Sequence, residues 1–200
     1  MRTLAALVLG VLATVAGAGA CTPKAPFYDY AAEPDPRLRP FVLGPSDVLR
    51  VNVWKNVDLS GDVMVRPDGT IVLPLIGEVR AAGRTATDVR SEIAKRLEAF
   101  VKEDANNVTV SVSAINSYRF VVNGNVERIG AYTSNHYVTV SEAIALAGGP
   151  NRFADPDRTI IIREDVKGKK RIPIDYPAIL KGTHPEQDLP LVAGDVVWIP

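Results

Sequence analysis

The chain has 200 residues, with 23 Lys and Arg balanced by 23 Asp and Glu, and a single cysteine. The balance also holds locally: residues 41–117 carry 9 basic and 10 acidic side chains, and residues 118–200 carry 10 of each. Such evenness argues against nucleic acid, whose binding rests on clustered cations, and one cysteine excludes an internal disulfide, so stability rests on packing.

Residues 1–20 read as a signal peptide. Arg2 supplies the positive start, and Leu4 to Ala16 form an apolar run shorter than the roughly 20 residues of a membrane span. Gly17-Ala18-Gly19-Ala20-Cys21 resembles the lipobox at which a bacterial lipoprotein is cleaved and lipidated. A thioether-linked lipid needs a free thiol at the new N-terminus, which makes Cys21 the expected lipidation site. Ala18 stands where a lipobox usually carries a large aliphatic residue, so ordinary secretion is the alternative. Thr22 is not the aspartate that commonly retains lipoproteins in the inner membrane, which favours the outer membrane, lipid-anchored and facing the periplasm. The 180 residues from Cys21 onward suffice for one large domain or two small ones. Residues 21–40 carry Pro23, Pro26, Pro34, Pro36 and Pro40 without periodicity, and read as an extended, poorly packed tether.

At Phe41 the texture changes. Val48, Val51 and Val53 mark a strand running to Trp54. The segments Val63–Arg66 and Thr70–Leu73 flank Pro67-Asp68-Gly69, which predicts a hairpin. A helix follows Gly83: Thr85 caps it with Asp88 three residues on, Val89, Ile93, Leu97, Phe100 and Val101 form its apolar stripe, and it should end near 104–107. Val108, Val110 and Val112 then alternate with Thr109, Ser111 and Ser113, the pattern of a half-buried strand.

A second unit begins at Tyr118. Phe120–Val122 reads as a strand, Gly124 breaks it, and Ala131-Tyr132 resumes extended structure. Thr139-Val140-Ser141-Glu142 is a capping box opening a short helix that Gly148 and Gly149 stop. Thr159–Arg163 and Arg171–Ile174 pair across a turn at 167–170, and one helical turn follows Asp175. Leu189–Val192 and Val196–Ile199 close the chain as short strands around Gly194-Asp195. The fold class is α+β: two small domains, 41–117 and 118–200, each with a helix on a mixed sheet.

These residues resemble the outer-membrane polysaccharide export lipoproteins. Leu43-Gly44-Pro45-Ser46-Asp47-Val48-Leu49 is close to the family's GPGDVL opening, with Ser46 in place of a glycine. Arg66–Ile71 and Leu73–Val79 reinforce a polysaccharide-export domain. Val122–Val126, Thr139–Gly149 and Leu191–Val197 are similar to a soluble-ligand-binding β-grasp domain. The resemblance implies a non-enzymatic, ring-forming homo-oligomer, without cofactor or metal, that conducts capsule or exopolysaccharide across the periplasm. It also implies an inner-membrane polysaccharide co-polymerase, often coupled to a tyrosine autokinase, as partner. Family members often continue into an amphipathic C-terminal helix that builds the membrane pore. This sequence stops at Trp198-Ile199-Pro200, which leads to the expectation of a short member that docks onto a separate outer-membrane β-barrel porin. The alternative is a monomeric periplasmic glycan-binding or adaptor module of the same machinery.

Other residues have plainer readings. His136 and His184 lack the ligand spacing of zinc sites. Asp58, Asp62 and Asp68 sit at turns or strand ends, where Asp has local reasons to be, so a glycosidase-type carboxylate pair is disfavoured. Asp155 and Asp157, beside Arg152 and Arg158, read as a solvated turn, and Lys167–Arg171 as a basic hairpin tip. Trp54 and Trp198 are candidates for sugar stacking, with Trp198 expected to pack within its sheet. The loops 116–119 and 151–158 are candidates to face a lumen, and the polymer-contacting residues are left unassigned.

Overall fold

In the computed structural model, which describes residues 28–100, 107–165 and 168–200, the chain builds two cores. The first gathers on β1 (Val48–Val53), whose alternation buries Leu49, Val51 and Val53 and turns Arg50 and Asn52 outward. β1 is the centre of an antiparallel sheet between β2 (Gly61–Met64) and β5 (Val108–Ala114). A separate antiparallel ribbon pairs β3 (Thr70–Leu73) with β4 (Gly77–Arg80). Helix α1 (Ala86–Leu97) closes this core through Val89, Ile93 and Leu97. Its expected capping box is present: the Thr85 hydroxyl accepts from the Asp88 N–H while the Asp88 carboxylate accepts from the Thr85 N–H.

The second core lies on a five-stranded sheet in the order β7 (Gly130–Thr133), β6 (Arg119–Gly124), β10 (Val196–Ile199), β8 (Thr159–Asp165), β9 (Gly168–Ile174). β10 runs parallel to β6 and antiparallel to β8, so the last strand of the chain becomes the central one. Phe120, Val122, Ile161, Ile172, Val197 and Ile199 face a core shared with α2 (Val140–Leu146) and α3 (Tyr176–Leu180). The capping box at Thr139 and Glu142 and the Asp175 N-cap are both formed.

The α+β class holds, with parallel pairing confined to the second domain. Five expectations differ. The β8–β9 ladder runs on through Glu164↔Lys169 and Asp165↔Gly168, so Lys169 and Lys170 lie in a strand and not in the expected turn at 167–170. Pro67-Asp68-Gly69 does turn the chain, with the Arg66 N–H donating to the Thr70 carbonyl at 2.8 Å. It makes a corner, not a hairpin, because the ladder of β2 is taken by β1 and that of β3 by β4. Leu189–Val192 forms no ladder: a single bridge joins Pro190 to Thr139, and the Leu191 N–H donates to Val138. α1 ends at Leu97, leaving Phe100 59 % exposed. Finally, the described part of the proline-rich segment is packed, not loose. Tyr28 and Tyr30 lie against the second core, and 3-10 turns form at Tyr30–Ala32 and Pro36–Leu38. The signal peptide, Cys21, Pro23, Pro26, Val101 and Lys167 lie outside the described residues. Among the described residues, no helix is long and apolar enough to cross a membrane.

Candidate functional site

Two turns of one geometry organise the molecule. In the first, the Gly44 N–H donates to Asp47 Oδ2 at 2.8 Å and Ser46 takes the left-handed conformation at φ 74°. In the second, the Val192 N–H donates to Asp195 Oδ2 at 2.8 Å and Gly194 lies at φ 91°. In each, a buried leucine precedes the turn, a buried aspartate closes it and a central strand leaves it. The residue before that leucine bridges the N-cap threonine of a helix, Val42 to Thr85 and Pro190 to Thr139. The second unit thus carries the arrangement in permuted order, helix before turn.

Each aspartate has an oxygen left for a distant partner. Asp47 accepts from the Asn116 and Ser117 N–H groups and the Ser117 hydroxyl, each at 2.8 Å, and so ties the segment just before the second domain to the first. The fit is tight: a Cβ on Gly44 would stand 2.4 Å from the Ser117 Cβ. Residues 116–117 are therefore a joint rather than a free loop, and Tyr118 beyond them is buried. Of that candidate lumen segment only Asn116 and Arg119 are exposed.

Asp195 instead receives Arg163. Strand alternation puts Arg163 on the core side of β8 with Thr159 and Ile161, where a guanidinium needs partners on every side. It donates to Asp195 at 3.0 Å from Nε and 2.6 Å from Nη2, to the Pro190 carbonyl at 3.1 Å, and to Glu33 at 3.1 Å. The side chains of Arg163, Asp195 and Glu33 are only 5 %, 1 % and 2 % exposed. Glu33 also accepts from Lys170 Nζ and Tyr28 Oη, and Tyr30 Oη donates to the Pro173 carbonyl at 2.7 Å. Residues 28–33 are thereby strapped to the β8–β9 edge. Burial alone would push the Glu33 carboxyl up, but the bonds from Lys170 and Tyr28 and the charge of Arg163 hold it below the ordinary 4.5. Burial raises the Asp195 carboxyl against the pull of Arg163.

Between strap and joint runs an open apolar groove of about 520 Å³, with Pro36, Phe41 and Pro45 facing Tyr118, Tyr137 and Val192. The Tyr118 and Tyr137 rings meet edge to face, with centroids 5.1 Å apart. Trp54 is 58 % exposed beside a cleft of about 550 Å³ lined by Asn52, Arg90 and Thr109. Trp198 is half-buried on the outer face of its sheet, opposite the core.

The remaining candidates are engaged locally. Asp62 pairs with Arg50 at 2.6 Å, and Asp68 accepts from the Thr70 N–H and hydroxyl. A hydrogen bond to Asp157 raises the half-exposed Asp155 carboxyl. His136 bonds Ser134 and Asn135, His184 bonds Glu186, and no group that could hold a metal occurs among the described residues. Sequence reasoning quoted Asp47 and Asp195 only as motif letters and missed Glu33, Arg163 and Lys170. One signal was present: a lone arginine in register with Thr159 and Ile161 in an apolar strand.

Residues 35–113 match the polysaccharide biosynthesis/export proteins, and residues 119–175 match the SLBB domain. The chain is 28 % identical over 188 residues to the EPS I polysaccharide export outer membrane protein EpsA of Ralstonia nicotianae, covering 82 % of this chain and 48 % of that protein. It is 31 % identical over 162 residues to the exopolysaccharide production protein ExoF of Rhizobium meliloti, covering 75 % and 35 %. Identity to the polysialic acid transport protein KpsD of Escherichia coli is 25 % over 132 residues, covering 66 % and 23 %. The chain therefore spans less than half the length of these curated relatives. The joint at Asp47 lies within the first matched region and binds the residues just before the second, while the strand leaving Asp195 completes the second domain's sheet. With both matched regions in this order across that joint, the chain belongs to the polysaccharide export family, a polysaccharide biosynthesis/export domain followed by an SLBB domain.

Proposed function

We propose that this chain is a periplasmic, ring-forming subunit of a conduit that exports capsule or exopolysaccharide, lipid-anchored at Cys21 to the outer membrane. The observation that carries the reading is the pair of matched domains following one another in a single chain, with the segment that joins them, Asn116-Ser117, held on the first domain by Asp47. Relatives named for polysaccharide export and polysialic acid transport support the cargo class. Polymer passes without covalent chemistry; synthesis upstream supplies the drive, and an inner-membrane co-polymerase with its tyrosine autokinase meets the ring.

The strap gives the anchor a structural role. Only six residues separate Cys21 from Tyr28, so a lipid on Cys21 holds the β9 edge of the second domain within about 25 Å of the membrane.

Two measurements test the reading. The lipid-free protein from residue 22 onward is weighed by analytical ultracentrifugation across a concentration series with and without detergent, where discrete closed assemblies are expected. A strict monomer under every condition, the lipidated protein included, sinks the ring. Deleting the chain in its host should strip polysaccharide from the cell surface; an unchanged surface sinks the export role.

A further inference from the structure

The sheet of the SLBB domain has one face against its helices and one that no described element covers. Register and alternation define this outer face. Val196 sits between Val121 and Ile162, and Trp198 between Asn123 and Ile160. Lys169 and Arg171 project on the same side from the neighbouring β9, with Arg171 directly across from Ile162. Trp198, Ile160, Ile162, Lys169 and Arg171 line one shallow groove of about 360 Å³.

The charges on this face are uneven although the domain is neutral. Arg119, Lys169 and Arg171 are cations on it, and Glu164, across from Lys169, is its one anion among the described residues. None of the three cations has an ion-pair partner among the described residues. A partly exposed apolar strip edged by cations suits an anion with an apolar side. A pyranose carrying a carboxylate has both: a face of C–H groups for the indole and aliphatic side chains, and an acid for the guanidinium and ammonium.

We propose that this outer face is a binding subsite for acidic saccharide units, in which Trp198 with Ile160 and Ile162 supports the ring and Arg171 with Lys169 takes the carboxylate. The assignment deepens the export reading above and rests on it, since it names the chemical class of polymer that is handled. The groove is shallow and open, so contacts form and release as polymer moves. Anionic lipid could be drawn to the same cations, but Trp198 lies half-buried in the sheet and does not protrude as a membrane-inserting side chain would.

The test uses a W54F background, so that Trp198 is the only fluorophore of its kind. Titration with oligogalacturonate, a soluble polyuronate, should change its emission and weaken as salt rises, whereas neutral maltoheptaose should not. K169Q with R171Q, both exposed, should keep the melting temperature and lower oligogalacturonate affinity about tenfold or more. Equal response to the neutral sugar, unchanged affinity in the double variant, or equal capture by phosphatidylglycerol vesicles lost in that variant each overturns the site. So does loss of self-association in place of sugar binding, which would make the face an interface between copies. In cells, a deletion strain that loses surface polysaccharide and regains it from K169Q/R171Q as fully as from wild type removes this site alone and leaves the export role standing. A deletion strain with an unchanged surface removes the export role, and the assignment of the ligand with it.

Discussion

Ser46 illustrates how one side chain can oppose its own backbone. The turn before Asp47 requires φ 74° at that position, where a Cβ is strained, while the equivalent position in the second turn is Gly194. Relief of that strain outweighs the added chain entropy, so Ser46→Gly should stabilise the protein by up to about 1 kcal/mol, read as a shift in the denaturant midpoint with unchanged slope. Asp47 is the opposite case. Its carboxylate satisfies three N–H groups and a hydroxyl, and Asp47→Ala should cost about 3–5 kcal/mol by leaving them buried without an acceptor. A loss under about 1 kcal/mol in chemical denaturation would contradict the joint. Both residues were visible in the Leu43–Leu49 motif; what they bind was not, because Asn116 and Ser117 lie about seventy residues downstream.

Among the elements, the strap and the β8–β9 pair depend on each other. Arg163→Ala leaves Asp195 buried without its counter-ion and Glu33 with Lys170 alone, and should cost about 3–5 kcal/mol in denaturant titration. Glu33→Gln removes less, since Arg163 keeps Asp195 and Lys170 reaches solvent. That variant also isolates a pH effect. The folded state holds the Glu33 carboxyl below 4.5, so it binds fewer protons there than the unfolded chain. Its stabilisation is complete above 4.5 and is lost as pH falls below that value through the lowered folded one. The stability gap between wild type and Glu33→Gln should narrow over that window; a gap constant from pH 6 to pH 3 would show that Glu33 is not held as an anion. Trypsin cleavage after Arg37 should rise in step as the strap loosens.

Across the whole molecule, the division between local and distant information is clear in particular residues. The capping boxes at Thr85 and Thr139, the strand at β1, the alternation of β5 and the glycine stop at 148–149 were all legible, because each depends on bonds or side-chain periods spanning a few positions. The corner at Pro67-Asp68-Gly69 was legible as a turn and not as a hairpin, since a turn is local while the partner of β2 is chosen by which apolar face it helps to bury. The strap was misread for the same reason: prolines without periodicity look loose until Arg163, 130 residues away, presents a buried charge that Glu33 answers. Sequence alone was enough for two α+β units, their order and the helix starts at Thr85 and Thr139, because propensity, capping and hydrophobic period act over short range. Tertiary structure decided that the last strand is central, that two aspartates serve as joint and latch, and which way Trp198 faces. Those outcomes come from packing distant segments together, where burying charge or apolar surface in one place constrains what every neighbour must supply.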